Sequence, residues 1–296
     1  MSFLNNAITG VSLGSIYAII ALGYTMVYGI AKMLNFAHGD VIMVGAYVCF
    51  LAMGSLGLPP LAGVLLAVVV CTALGIAIER LAYKPLRSAP SLAVLITAIG
   101  VSYLLQNSAQ LLWGADTKTF TPIVGTDQES RLWLVPGQLS ISYVAILSVV
   151  CCVVVMIALA LFTGRTKMGK AMRACSEDKG AAQLMGIDVN TTISVTFAIG
   201  SALAAIAGVL MCSAYPVLSP TTGSLPGIRA FTAAVFGGIG SIPGALLGGV
   251  LLGVIETFAK AYISTDLSDA VVFAVLIIVL LVRPAGLMGK YVPEKV

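Results

Sequence analysis

The sequence predicts an all-α fold, a polytopic bundle of about eight transmembrane helices with one or two broken or re-entrant segments. Hydrophobic residues make up 59% of the 296 residues and charged residues only 9%, whereas charged residues are roughly a quarter of a soluble domain. Apolar runs long enough to cross a hydrocarbon core, about 20 helical residues, recur along the whole chain. We therefore expect one transmembrane domain over residues 1–296.

Eight apolar runs give the predicted spans. They cover residues 8–31, 41–58, 61–78, 92–113, 141–163, 191–214, 244–258 and 270–282. The first run lacks the basic start and small-residue cleavage site of a signal peptide, so we expect it to be retained. Five of the six cysteines lie in apolar runs, where cysteine behaves as a small hydrophobe. The sequence thus predicts no disulfide and no metal site.

Basic residues predict which loops face the cytoplasm. Segments 79–91 and 164–190 and the tail after Arg283, which includes Lys290 and Lys295, are rich in lysine and arginine. Segment 114–142 is not, and we expect it outside. The formal net charge of +4 is then a topology signal, and no nucleic acid partner is implied.

A broken helix is expected near the carboxyl end. If residues 230–258 and 270–282 each crossed once, the basic tail would finish outside. A short helix, a Gly/Pro break at 237–244 and a return helix would restore an inside tail. Irregular backbone at membrane depth survives only where protein or a water-filled cavity satisfies its polar groups. The break residues are therefore candidates for a translocation path or its gate: Gly237, Gly238, Gly240 and Ser241.

The segment NFAHGD interrupts the apolar pattern in the first half of the chain. It contains Asn35, Gly39, Asp40 and the only histidine, His38. These residues either line a path, because ionisable groups at membrane depth usually face a cavity or a partner, or form a cytoplasmic turn that meets water. Interrupted segments in both halves of a chain point to a transporter's binding site. We therefore group these four residues with the glycine-rich break as path candidates.

Segment 176–186 is predicted to be a short cytoplasmic helix with both ends marked. Ser176 can cap its amino end, Glu177 and Asp178 suit the positive end of the helix dipole, and Gly186 can take the left-handed position after its last turn. An amphipathic loop helix at the membrane surface is the alternative.

Two enzyme-like patterns lack the structural context that their chemistry needs. GRTKMGKA at 164–171 has Ala171 where a phosphate-binding loop needs a hydroxyl, and it follows a membrane helix instead of a strand. GVSLG at 10–14 lies inside an apolar helix and not at the strand-to-helix turn of a serine hydrolase. The sequence thus predicts no catalytic residue and no cofactor bound by this chain.

Three motifs together resemble the permease of branched-chain amino acid ABC importers. They are NFAHGD followed by GAY at 45–47, the loop MGKAMRACSEDKGAAQLMGI, and GGIGSIPGALLGG. The resemblance covers nearly the whole chain and is to the first of that importer's two permeases, although urea and short-chain amide permeases are similar. It implies a multi-pass protein of the bacterial cytoplasmic membrane. The implied partners are a second homologous permease, two ABC ATPases that bind the ATP, and an extracytoplasmic amino-acid-binding protein.

The same resemblance implies that 176–186 is a coupling helix that docks on an ATPase. The family's E-A-A-x-x-x-G pattern aligns with Gly180, Ala181, Ala182 and Gly186, so a glycine stands at the glutamate position. The coupling candidates are Ser176, Glu177, Asp178, Gly180, Ala181, Ala182 and Gly186. A passive channel, which needs no coupling helix, is the alternative from another functional class.

Overall fold

Helices form nearly all of the regular structure in the computed structural model, which describes residues 2–87, 89–124, 131–135 and 139–289. The α-helices of these residues are α1 (Ser2–Ala31), α2 (His38–Gly54), α3 (Pro60–Ile78), α4 (Ser91–Trp113), α5 (Tyr143–Arg165), α6 (Lys167–Glu177), α7 (Lys179–Leu184), α8 (Val189–Ala214), α9 (Ser224–Gly237), α10 (Ile242–Tyr262) and α11 (Ser268–Val282). A π-helical turn, Glu79–Tyr83, and a 3-10 turn, Lys84–Leu86, continue α3. The strands are β1 (Lys118–Thr119), β2 (Arg131–Val135), β3 (Leu139–Ser142) and β4 (Val217–Leu218), and they pair antiparallel as β1 with β4 and β2 with β3.

Six helical segments of the described residues are long and apolar enough to cross a membrane. They are Phe3–Ala31, Pro60–Leu86, Ser91–Trp113, Tyr143–Arg165, Val189–Ala214 and Ile242–Tyr262, and two shorter apolar helices are His38–Gly54 and Ser268–Val282. The expected all-α polytopic bundle is confirmed, whereas the total of eight spans stays a prediction. Lys290, Lys295 and residues 125–130 of the segment expected outside lie beyond the described residues.

Helix α1 is the central helix, and α10 packs closely along it. A Cβ placed on Gly14 would lie 2.6 Å from the Cα of Val250, and one on Gly249 would lie 2.4 Å from the Cα of Ala18. Small residues allow the backbones of membrane helices to approach this closely. Because α1 is apolar on all sides, it can be buried on all sides.

Helix α2 begins halfway through the bundle. Helix α1 ends at Ala31, and Lys32 takes a left-handed φ of 56° before the chain turns back. The ring of His38, the first residue of α2, lies against Gly23 of α1 and Gly200 of α8. Gly23 is about two turns before the end of α1, and Gly200 is near the middle of α8. The chain therefore climbs back into the bundle between α1 and α2.

Helix α9 begins at the same level as α2 and runs toward the end of α1. A Cβ on Gly227, in its first turn, would lie 2.8 Å from the Cα of Gly39 at the start of α2. With 14 residues, α9 is about 21 Å long. Gly240 follows the far end of α9, and a Cβ on Gly29, near the end of α1, would lie 3.2 Å from its Cα. The amino ends of α2 and α9 therefore meet inside the bundle.

The short helix, break and return helix expected near the carboxyl end are present as α9, residues 238–241 and α10. Gly238 and Gly240 have φ angles of 104° and 95°, a region that side chains disfavour. The Oγ of Ser241 accepts a hydrogen bond from the N–H of Gly244 at 3.2 Å and so caps α10. The chain after α11 packs against the carboxyl end of α9, since the N–H of Leu287 donates to the carbonyl of Phe236 at 2.9 Å.

Candidate functional site

The four NFAHGD residues singled out from the sequence lie at the junction of α2 and α9. Asn35, His38 and Asp40 are 5%, 1% and 1% exposed, and Gly39 is buried between helix backbones. A cytoplasmic turn would leave these side chains in water, so that interpretation does not fit the structure. Burial of ionisable side chains at this depth is costly and typical of functional positions in membrane proteins.

A polar bridge connects the two helix ends at this junction. The Nε2 of Gln106, on α4, donates to the Oδ1 of Asp40 at 2.9 Å and lies 3.2 Å from the Oγ of Ser224, the first residue of α9. The Oγ of Ser102 lies at the same distance from this nitrogen. Because the amino ends of both helices carry partial positive charge, a carboxylate between them is favoured electrostatically. The carboxyl group of Asp40 therefore lies where the dipoles of two helices meet.

Aromatic rings close the space between the junction and the end of α1. The ring of Tyr24 packs edge-on against His38, with centroids 4.6 Å apart, and against Phe231 at 5.6 Å. Phe36 also contacts Phe231 at 5.5 Å. The remaining cleft holds about 10 Å³, and its lining residues are Tyr24, Val27, Tyr28, Met33, Leu34, Asn35, Phe231, Ala234 and Ile239. Such a volume admits about one water molecule, so the bundle is closed here to anything larger.

The glycine-rich break lies at the other end of α9 from His38, Gly39 and Asp40. Gly237 and Gly238 are buried, Ser241 is half-buried and Gly240 is exposed. His38, Gly39 and Asp40 are thus separated from the break by the length of α9, about 21 Å. The two groups of candidate residues share one cleft, because Asn35 and a residue of the break, Ile239, both line it.

The sequence reasoning missed a charged network inside the bundle. One of its four charged residues, Glu256, lies inside a predicted span, 244–258, and the other three lie outside the predicted spans. Arg229 of α9 donates to the Oε1 of Glu256 on α10 at 2.9 Å and to the Oδ1 of Asp269 on α11 at 2.8 Å. Lys260 lies 2.5 Å from the same oxygen of Glu256, and Arg229 also reaches the hydroxyl of Tyr17 at 3.1 Å.

This network is charge-balanced, and its central pair is hidden from solvent, whereas the side chains of Lys260 and Asp269 are 35% and 40% exposed. The side chain of Glu256 is 0% exposed and that of Arg229 is 14% exposed. A buried carboxylate that lost its cations would be strongly destabilising, which explains why two cations share it. Glu256 and the polar Gln106 each stand inside a predicted span. These two polar residues within apolar runs were therefore the signal that could have found both features.

The coupling segment contains two helices instead of the single helix predicted over 176–186. The first, α6, ends at Glu177, and the Oγ of Ser176 donates to the carbonyl of Arg173 inside its last turn at 2.7 Å. The cap of α7 is Asp178, whose Oδ1 accepts from the N–H groups of Gly180 and Ala181 at 2.7 and 3.0 Å. The prediction that Ser176 is the cap is wrong, because a carboxylate two residues later accepts both hydrogen bonds.

The exposed surface of α7 differs from the one expected. Gly186 does have the left-handed conformation predicted for it, with φ 81°. Gly180 and Ala181 are exposed, but Ala182 is only 4% exposed and faces the rest of the chain. The most exposed side chains at the end of α7 are Leu184 and Met185, at 90% and 83%. Two such exposed apolar side chains next to each other are available for a contact outside the chain.

Helix α7 is also hydrogen-bonded to the end of α1. The Nζ of Lys179 donates to the carbonyl oxygen of Ala31 at 2.6 Å. Partial burial, followed by the nearby charges of Arg87 and Lys32, lowers the pKa of Lys179. Asn35, four residues after Ala31, is held in the same way: its Oδ1 accepts a hydrogen bond from the hydroxyl of Tyr83 at 2.9 Å. The loop that contains α7 and the turn that contains Tyr83 thus both hold the segment that leads into α2.

Residues 6–280 match the family described as the branched-chain amino acid transport system / permease component. The chain belongs to this permease family. Its members are membrane subunits of transport systems, so the chain is a transport subunit and not an enzyme. This agrees with the resemblance that the motifs of the sequence carry.

Several curated members are similar over their full length. The high-affinity branched-chain amino acid transport system permease protein BraD of Pseudomonas aeruginosa is 45% identical, in an alignment that covers 99% of this chain and 98% of BraD. The high-affinity branched-chain amino acid transport system permease protein LivH of Escherichia coli (strain K12) is 44% identical, with the same coverage of both chains. The probable LivH of Methanocaldococcus jannaschii is 30% identical over 93% of this chain and 89% of that protein.

Proposed function

We propose that this permease is the membrane-spanning subunit of an ATP-binding cassette importer that moves branched-chain amino acids into the cell. The observation that carries the proposal is the 44–45% identity, across 99% of the chain, to high-affinity branched-chain amino acid permeases. The permease performs no covalent chemistry. ATP binds to partner subunits, which favour one permease conformation over the other and so shift its population.

The translocation path passes the junction of α2 and α9. An amino acid carries a carboxylate and an ammonium group, and both need partners inside the membrane. The amino ends of two helices favour the carboxylate, and Asp40 favours the ammonium. The aromatic cleft between the junction and Ile239 is then the cytoplasmic gate, in its closed state. Gly237, Gly238, Gly240 and Ser241 form the hinge on which that gate opens.

Helix α7 couples the permease to its ATPase. Its exposed Leu184 and Met185 are the apolar anchors, and Asp178 fixes the orientation of the helix by capping it. The bond from Lys179 to Ala31 passes a movement of α7 to the segment that precedes α2. A passive channel would need none of these features.

The complete importer contains this chain, a second homologous permease, two ATPases and an extracytoplasmic binding protein. The chain forms a single domain in the bacterial cytoplasmic membrane, with 114–142 outside and 79–91, 164–190 and the tail inside. Single cysteines at Asp116 and Lys170 of a cysteine-free variant should react with an impermeant reagent from opposite sides. Reaction from one side would contradict this topology.

Reconstituted transport tests the function. The chain, co-expressed with the permease and ATPases encoded beside it, is placed in liposomes with ATP inside, and the binding protein is added outside. Leucine, isoleucine and valine should accumulate, and urea and short-chain amides should not. Uptake without ATP would indicate a channel, and accumulation of urea would assign the protein to the related amide permeases.

A further inference from the structure

A groove with polar walls lies away from the helix junction, between the end of α3 and the start of α8. Its volume is about 560 Å³, within the usual range of small-molecule sites. One wall consists of Ile76 near the end of α3 and of Arg80 and Lys84 in the two turns that continue it. The other wall comes from α8 and the residue before it: Asp188, Asn190, Thr191, Ser194, Val195 and Ala198.

The groove is polar at one end and apolar at the other. Since α3 runs toward the loop that precedes α4, and α8 runs away from the loop that contains α7, Lys84 faces the start of α8. Ile76 faces Val195 and Ala198, two turns further into the bundle. The polar end lies at the loops that we place in the cytoplasm, and the apolar end lies at membrane depth.

Of the two basic residues of the groove, Lys84 lies near a carboxylate, that of Asp188, and Arg80 has no acidic partner among the described residues. The carboxylate of Glu79 binds Arg87 and the hydroxyl of Ser194. The carboxylate of Asp188 accepts from the backbone and hydroxyl of Thr191, and these hydrogen bonds lower its pKa. Arg80 is exposed and makes no hydrogen bond or ion pair with the residues that the structure describes. The polar end therefore carries excess positive charge.

The surface around the groove is apolar. Leu65 and Val69 on α3 are 58% and 65% exposed, and Leu81 beside Arg80 is 80% exposed. Such side chains suit a helix at the periphery of a membrane bundle, where they meet lipid chains.

We propose that this groove binds one anionic phospholipid of the cytoplasmic leaflet, with its phosphate at Arg80 and Lys84 and its acyl chains along Ile76, Val195 and Ala198. Basic pockets between transmembrane helices on the cytoplasmic side recognise anionic head groups. The direction of the groove matches that of a lipid in this leaflet, with the head at the loops and the tails inward. The site depends on the cytoplasmic placement of 79–91, but not on the transported substrate.

Native mass spectrometry of the full-length chain in neutral detergent tests the site. Phosphatidylglycerol is titrated against phosphatidylcholine, and the fraction of chains that retain one lipid is measured. The parent chain should retain phosphatidylglycerol preferentially. The double variant Arg80→Gln/Lys84→Gln should retain it about thirty-fold less tightly, since each basic residue near the surface contributes about a factor of five.

Matched variants separate this site from general charge attraction. Lys167→Gln/Lys170→Gln removes the same charge from α6 and should leave retention unchanged. Ala198→Phe fills the apolar end without changing charge and should weaken retention, whereas Ala198→Ser should not.

Three results would overturn the proposal. One is equal retention of phosphatidylglycerol by the parent chain and by the Arg80→Gln/Lys84→Gln variant. Another is full displacement of the lipid by inorganic phosphate, which would show an ion site without lipid contacts. The third is loss of ATPase co-purification in the same double variant with its lipid still bound, since the groove would then be a protein interface.

Discussion

The ammonium of Lys179, at the start of α7, lies 2.6 Å from the carbonyl oxygen of Ala31, the last residue of α1. This bond spans a sequence separation of 148 residues. It connects the helix that we assign to ATPase docking with the chain that turns back into the bundle to begin α2. A movement of α7 therefore acts directly on the segment that contains the buried Asn35, His38 and Asp40.

Replacing Lys179 by methionine should uncouple the importer. A hydrogen bond from a charged group contributes roughly 1.5–3 kcal/mol, so amino acid uptake should fall about tenfold or more, while the ATPases still bind. Uptake by proteoliposomes and co-purification of the ATPases are measured on the same preparation. Lys179→Arg keeps a donor and should recover part of the uptake. Normal uptake by the methionine variant would show that the bond is only structural.

Leu184→Asp should prevent docking of the ATPase. A buried interface anchor contributes about 2 kcal/mol or more, so binding of the ATPases should weaken roughly thirty-fold. Affinity is measured by titrating the purified ATPase onto the permease in detergent. Leu56→Asp makes the same change at an exposed leucine in the turn after α2 and should have no effect. Equal loss in both variants would indicate general instability instead of a lost contact.

Asp40→Asn should reduce uptake without unfolding the protein. The asparagine can still accept the hydrogen bond from Gln106, but it lacks the charge that we assign to the substrate's ammonium group. Uptake should fall about tenfold, because a hydrogen bond to a charged group is stronger by a kcal/mol or more. Asp116→Asn, at an exposed position, is the control. Parent-like uptake by Asp40→Asn would remove Asp40 from the path.

Glu256→Gln should destabilise the bundle, because it leaves Arg229 and Lys260 without their shared carboxylate. Breaking a buried ion pair in this way costs roughly 3–5 kcal/mol. The midpoint of thermal unfolding in detergent should therefore fall by several degrees. The paired variant Arg229→Met/Glu256→Met removes one charge of each sign and should be closer to the parent. If the paired variant were the less stable of the two, the charges would not be the cause.

Gly240→Val should impair transport through the backbone and not by filling the break. A Cβ on Gly240 would meet only the Cα of Gly29, at 4.0 Å, but the φ of 95° is strained for any side chain. Gly240→Ala should therefore destabilise the protein by about as much, roughly 1–2 kcal/mol. Gly164→Ala, where nothing lies within 4 Å, should be neutral or stabilising. A much larger loss with valine than with alanine would restore the space-filling explanation.

The sequence was sufficient for the class, the helix break and the left-handed Gly186, because these follow from long apolar runs and from glycine's conformational freedom. The sequence was insufficient to show how deep inside the bundle a residue lies. Whether His38 meets water or the backbone of Gly200 depends on how far the chain climbs between α1 and α2, which no local pattern records. The contacts of Gln106 with Asp40 and Ser224 join three helices far apart in the chain, so one sequence could not indicate them.

The coupling segment shows a different limit of sequence reasoning. Ser176 and Asp178 are both good amino-terminal caps, and the choice between them depends on where α6 ends. That end is set by packing, since Met172 and Cys175 of α6 are buried against the bundle. Ala182 was expected on the docking surface because it belongs to the family pattern, but it is buried against its own chain.

The hydrogen bonds from Leu287 and Met288 to the carbonyls of Phe236 and Gly237 have a consequence for biosynthesis. Helix α9 emerges from the ribosome about fifty residues before the segment that completes its carboxyl end. Until then its last carbonyls have no partner from that segment, at a place where an unsatisfied carbonyl is costly. Insertion of α9 and α10 is therefore finished only when the last apolar helix and the turn after it have been made. A chain truncated after α11 would contain α1 to α11 and still lack the segment that completes the carboxyl end of α9.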